Sequence, residues 1–218
     1  MCGIAGYSLS PESRAERTLA AQSLLAAIAE RGWDAAGYAR WGPGLGLEVT
    51  KRRGGARDLL EALRVPAGAT QALVHVRDYT KGHPRLEANN HPIRHGHVVG
   101  IHNGVIENDD ELFARHCLER AEPGMTVDSE AIFALLDRFG SKGAALEELR
   151  GSLAAAWLDE RLPNVLFLAR GAGRPLWLGE GRRELLFAST RDALEVADRK
   201  STRLNSSHIQ KSRMPSSA

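Results

Sequence analysis

Apolar positions along this chain recur with two different periods, and short polar or glycine-rich stretches separate them. Residues 3–8 read as a short strand, and Ser10-Pro11-Glu12-Ser13 then offers a capping serine followed by proline, the pattern of a helix start. Leu19, Leu24, Leu25 and Ile28 fall on one stripe of that helix, which Gly32 is expected to end. Strands are predicted over 36–41, 46–52, 72–77 and 97–102, with a short helix over 57–63. Asn108 with Glu111 has the spacing of a capping pair ahead of the next helix. Helices are then expected over 129–139 and 144–150, and strands over 153–158, 165–169, 176–178 and 185–188. Several of these strands are apolar on both faces, as in a sheet covered on each side.

Composition narrows the class. The 218 residues hold two cysteines and no apolar run of the ~18–20 residues that a membrane span requires. One domain over 1–197 is the natural reading. Two cysteines make no disulfide framework and no apolar leader precedes Cys2, so a cytoplasmic location is expected. Cys117 is expected to pack on a helix face, free cysteine being among the most buried residue types. Residues 198–218 differ from the rest: Asp-Arg-Lys-Ser-Thr-Arg-Leu-Asn-Ser-Ser-His is what a common sequencing-library adapter encodes in this frame. They are read as a non-native, disordered tail. They carry Arg199, Lys200, Arg203, Lys211 and Arg213 against one acid, so without them the formal charge turns from +2 to about −2. No basic face remains to suggest nucleic acid.

The chemistry begins at Met1-Cys2-Gly3-Ile4-Ala5-Gly6. Removal of the initiator methionine leaves a cysteine whose thiol and α-amine belong to one residue, with ordinary pKa values of about 8.5 and about 7.7–8.0. Such a residue carries both nucleophile and base. Three further segments follow in order: Arg31-Gly32-Trp33-Asp34-Ala35-Ala36-Gly37, His102-Asn103-Gly104-Val105-Ile106-Glu107-Asn108 and Val127-Asp128-Ser129-Glu130. His83, His91, His95, His97 and His102 crowd one region. No cysteine or acid completes a ligand spacing among them, so no metal is expected.

With those four segments the chain resembles the class II glutamine amidotransferase domain, an N-terminal nucleophile hydrolase, most closely the glutaminase half of glucosamine-6-phosphate synthase. The resemblance runs from Cys2 to about Ala197. It implies an α+β fold, a four-layer αββα sandwich, which propensity alone does not supply. It also implies that Cys2 attacks the side-chain amide of L-glutamine through a γ-glutamyl thioester, releasing ammonia and then glutamate. Asn103 and the backbone amide of Gly104 match the oxyanion hole. Arg77 matches the arginine on the substrate α-carboxylate, Asp128 the carboxylate on the α-ammonium, Thr80 the threonine beside the carboxylate, and Arg31 the arginine near the nucleophile. Asn89-Asn90-His91-Pro92 resembles a structural turn of the family. No cofactor is implied for the hydrolytic step, and the expected partner is a domain or subunit that activates the ammonia acceptor.

One segment departs from that pattern. Where the nearest relatives have arginine-tryptophan-x-threonine-histidine, this chain reads Arg77-Asp78-Tyr79-Thr80-Lys81. Asp78 is expected to pair with Arg77, and Lys81 to restore positive charge nearby. Two other readings stay open: a glutamine-binding sensor or regulatory domain with little turnover, and a related N-terminal nucleophile acylase. Against the acylase stands the pairing of Arg77 with Asp128, which selects an amino acid.

Overall fold

The computed structural model describes residues 1–197 and the backbone of 209–211. Two antiparallel sheets lie face to face. The first contains β1 (Gly3–Leu9), β2 (Ala35–Gly42), β3 (Gly46–Arg53), β4 (Gln71–Arg77), β9 (Trp177–Glu180), β10 (Glu184–Ala188) and β11 (Ile209–Lys211), in the spatial order β11-β9-β10-β1-β4-β2-β3. The second contains β5 (Ile93–His95), β6 (Val98–Ile106), β7 (Gly151–Asp159) and β8 (Leu166–Arg170), in chain order. Helices α1 (Arg17–Ile28), α2 (Ala56–Ala62) and α5 (Arg191–Ala197) pack on the first sheet, while α3 (Asp109–Arg115) and α4 (Glu130–Phe139) accompany the second. The layers are therefore αββα.

Alternation along the strands builds these layers, because successive side chains of a strand point to opposite faces. In β1, Ile4 enters the core between the sheets, whereas Ala5, Tyr7 and Leu9 face α1. In β7, Ala154, Ala156 and Leu158 face the first sheet while Ala155 and Trp157 face α4. Both faces of these two strands are thus apolar and covered, as the sequence pattern predicts.

The antiparallel register of β1 and β4 sets Gly3 opposite Val76, which brings the start of the chain beside the end of β4. β2 starts at the same end, Ala35 lying opposite Arg77. Gly32 closes the approach, since a Cβ there would stand 2.5 Å from the backbone carbon of Arg77.

The structure corrects several local expectations. The first helix starts at Arg17, capped by the Glu16 carboxylate, and not at Ser10-Pro11. Arg17 is the reason: its buried guanidinium donates to the carbonyls of Ser10 (3.3 Å), Ser13 (2.8 Å) and Ala15 (2.5 Å), holding those residues in a turn. Leu19 leaves the stripe and is 40% exposed, while Leu24, Leu25 and Ile28 are fully buried. Asn108 does not cap α3 through its side chain. Its amide instead donates to the Glu148 carbonyl (2.9 Å) and accepts from the Arg150 N–H (2.9 Å). The helix expected over 144–150 is reduced to a 3₁₀ turn, Gly143–Leu146, with residues 147–148 continuing as a turn into that clasp. Cys117 is exposed just past α3 with φ 50°, not packed on a helix face. β5 and α5 were not anticipated. Of the segment read as a tail, 209–211 form β11 against β9, and the remainder lies outside the described residues.

Candidate active site

β1, β4 and β6 converge where the chain begins. The Cys2 thiol is half-buried and donates to the Asp78 carbonyl (3.3 Å), and the Asp78 N–H points back to the sulfur at 3.4 Å. Burial raises the thiol pKa, outweighing the backbone hydrogen bond and the positive charge of Arg77. In this state, with Met1 in place, the sulfur is a thiol and not a thiolate at neutral pH. The α-ammonium of Met1 is held by the Asp78 carboxylate. Asp78 therefore does not pair with Arg77 as expected from the sequence.

Arg31, in the 3₁₀ turn after α1, donates through Nε to the Cys2 carbonyl at 3.2 Å. Met1, Arg31 and Asn103 line a cleft of about 300 Å³ together with Arg174, Trp177 and Thr190. Asn103 is 2% exposed and its side-chain nitrogen has no hydrogen-bond partner, although a buried donor left unpaired is costly. Gly104 follows with φ 155°, and a Cβ there would stand 1.9 Å from the Ser152 carbonyl oxygen. Asn103 and Gly104 lie inside β6, opposite Ala154 and Leu153, so this asparagine-glycine pair forms no turn.

Arg77 ends β4 almost fully buried. Its guanidinium donates to Asn90 Oδ1 (2.7 Å) and to the carbonyls of Lys81 and Gly82. Burial presses its pKa down, with Cys2 and then Asp128 the largest of the groups that oppose the fall. Asp128 is 3% exposed, precedes α4 and accepts the Ile106 N–H at 2.7 Å. Burial nevertheless raises its pKa, with Asp109 adding to the rise. A buried carboxylate in that condition is stabilised by a cation brought beside it. Thr80 is exposed in the loop after β4. Lys81 lends no free charge to this region, because its ammonium is bound by Asp109 (2.7 Å) and Asp110 (2.9 Å).

Four further polar residues shape the site. Asn89 and Asn90 were read only as a turn, yet Asn90 carries Arg77, and Asn89 Oδ1 accepts from the N–H groups of Thr126 (2.8 Å) and Val127 (3.1 Å), fixing the segment that presents Asp128. His75 is fully buried in β4 and bonds the His102 carbonyl across the two sheets. Its ring stacks on His91 with centroids 4.2 Å apart. His102 has both nitrogens engaged, accepting from the Ser129 hydroxyl (2.8 Å) and donating to the Ser152 carbonyl (3.2 Å), with burial pressing its pKa to about 4. In the sequence, Asn89 and Asn90 stand in the turn-like Asn89-Asn90-His91-Pro92 and His102 heads its motif, while His75 shows only as a polar residue within an apolar strand.

The fold is that of the N-terminal nucleophile class. The Bacillus subtilis glutamine phosphoribosylpyrophosphate amidotransferase structure superposes with a TM-score of 0.71 at 20% identity, covering 92% of this chain and 44% of that one. A structure described as the allosteric regulatory enzyme of purine biosynthesis gives a TM-score of 0.70, again at 20% identity, covering 96% of this chain and 44% of that one. The family model described as "Glutamine amidotransferase domain" matches residues 81–196, and the chain belongs to that family. It is similar to glutamine–fructose-6-phosphate aminotransferases: 34% identical to that of Bradyrhizobium diazoefficiens and 37% to that of Caulobacter vibrioides, in each case over 90% of this chain and 32% of the relative. The chain thus spans about a third of the length of these relatives. Among the described residues no helix is long and apolar enough to cross a membrane.

Proposed function

We propose that this domain hydrolyses the side-chain amide of L-glutamine on Cys2 and passes the ammonia to an acceptor site in another domain or subunit. Once Met1 is removed, the Cys2 α-amine takes the thiol proton and the sulfur adds to the amide carbon. The resulting oxyanion is met by the Asn103 amide and the Gly104 N–H, donors placed before charge develops. Collapse returns the proton to the leaving nitrogen, expelling ammonia and leaving a γ-glutamyl thioester. Water then attacks the thioester, giving glutamate and the free thiol. Arg77 takes the α-carboxylate, for which its planar fork is suited, and Asp128 takes the α-ammonium. Arg31 anchors the nucleophile's backbone, and Thr80 sits in the loop beside the carboxylate position.

The observation that carries this reading is the unpartnered Asn103 side-chain nitrogen, buried in the cleft that Met1 and Arg31 also line. The test is ammonia and glutamate release from glutamine by processed protein, set against Cys2→Ala. Turnover lost in the variant with glutamine binding retained supports the reading. Binding without turnover in the parent would instead mark a glutamine sensor.

A further inference from the structure

Lys81 stands four residues beyond Arg77, and two separate parts of it are held. Its backbone carbonyl accepts from Arg77 Nη2 at 2.7 Å, as does the neighbouring Gly82 carbonyl. Its ammonium reaches both carboxylate oxygens of Asp109 at 2.7 Å and Asp110 Oδ2 at 2.9 Å. Asp109 opens α3, has 3% of its side chain exposed, and is also bound by Arg120 at 3.3 Å, on an oxygen that Lys81 shares. Arg120 also bonds the fully buried Glu130 in α4 (3.2 Å) and covers the Phe113 ring at 4.0 Å. A continuous chain of contacts therefore runs from the packed α3–α4 pair through Lys81 to the Arg77 guanidinium.

We propose that Lys81 is a positioning residue for glutamine: its ammonium pins the loop after β4 to α3, and its carbonyl thereby orients Arg77 toward the substrate carboxylate. The role rests on the reading of Arg77 given above. Asp109 is too buried to be an incidental surface partner, and its two oxygens receive the ammonium at equal distance, which fixes the loop more firmly than a single exposed ion pair does. With the ammonium bound in this way, Lys81 acts through the backbone it holds and not as a charge offered to substrate.

Two measurements test the role separately from glutamine chemistry. In the Cys2→Ala background, Lys81→Met is expected to weaken glutamine binding about tenfold, as misplaced binding groups do, while Lys81→Arg restores most of it and thermal midpoints stay close. In the absence of glutamine, amide hydrogen exchange over 78–85 is expected to quicken in Lys81→Met and not in Lys81→Arg. In active protein the loss should fall on KM with kcat little changed. Glutamine affinity within twofold of the parent in Lys81→Met, or unchanged exchange over 78–85, would overturn the proposal. Failure of the parent itself to bind glutamine would overturn the functional reading of Arg77, and with it the proposed role of Lys81; the exchange measurement would then still report whether Lys81 pins the loop.

Discussion

His75 Nε2 lies 3.1 Å from the carbonyl oxygen of His102, and both residues are buried to within 1% of full exclusion from solvent. A carbonyl only accepts, so His75 carries its proton on Nε2. This bond ties β4, which ends in Arg77, to β6, which carries Asn103. It fixes one sheet against the other at the level of the site.

Acid should weaken the fold over a defined window. Burial lowers the His75 pKa from 6.5 to about 3 and that of His102 to about 4, and it places His91 well below its ordinary value. These rings are neutral when folded but bind protons near pH 6.5 when unfolded. Their contribution is therefore fully present above pH 6.5 and is lost as pH falls toward 4. Each adds a slope approaching ~1.4 kcal/mol per pH unit within that window. Urea unfolding at pH 7 and pH 5 checks this, and His91→Phe, which keeps the ring stack, should flatten the slope by about one proton.

Processing at the first residue should decide activity. The Cys2 thiol is pushed up by burial and is protonated at neutral pH while Met1 remains. With its nitrogen locked in a peptide bond, Cys2 has no amine to serve as base. Protein retaining Met1 should release no ammonia from glutamine, which intact mass paired with an ammonia assay will show. Full activity in the blocked form would assign the base elsewhere.

Asp128→Asn keeps the shape of the side chain and removes its charge. A charge-assisted hydrogen bond is worth about 1.5–3 kcal/mol, so kcat/KM for glutamine should fall ~10–100-fold. A substrate analogue lacking the α-amine should be poor for the parent and lose little further. An equal proportional loss for both compounds would mean that Asp128 supports the fold and does not read the ammonium.

Gly104→Ala should be severe. Its φ of 155° is strained for any side chain, and the new Cβ would lie 1.9 Å from the Ser152 oxygen and 2.5 Å from His102 Nε2. Strain and overpacking each cost about 1–3 kcal/mol. Thermal unfolding should report a drop of this size, with ammonia release lost even at temperatures where the variant remains folded.

The sheets were legible because their strands are apolar on both faces: 72–77 and 153–158 were placed within two residues of β4 and close to the centre of β7. The register of β1 with β4 sets Cys2, from the first of the four segments, beside the end of β4 where Arg77 lies. What periodicity could not show was the effect of single polar side chains on local backbone. Arg17 moved a helix start, and Asn108 clasps Glu148 and Arg150 where propensity favoured a helix. The Asp78–Arg77 pairing failed for a related reason, since the Asp78 carboxylate is taken by the α-ammonium of Met1. Such partners come from distant chain, and no local pattern records them.

Asn89 and Asn90 are consecutive, and one steadies the backbone leading to Asp128 while the other steadies Arg77. The gap between the two charges proposed to hold an amino acid is thus gauged by a single peptide unit. A ruler so short cannot stretch to suit a different ligand. An amino acid with its ammonium and carboxylate further apart, such as a β-amino acid, should be refused at this step however well its amide reaches Cys2.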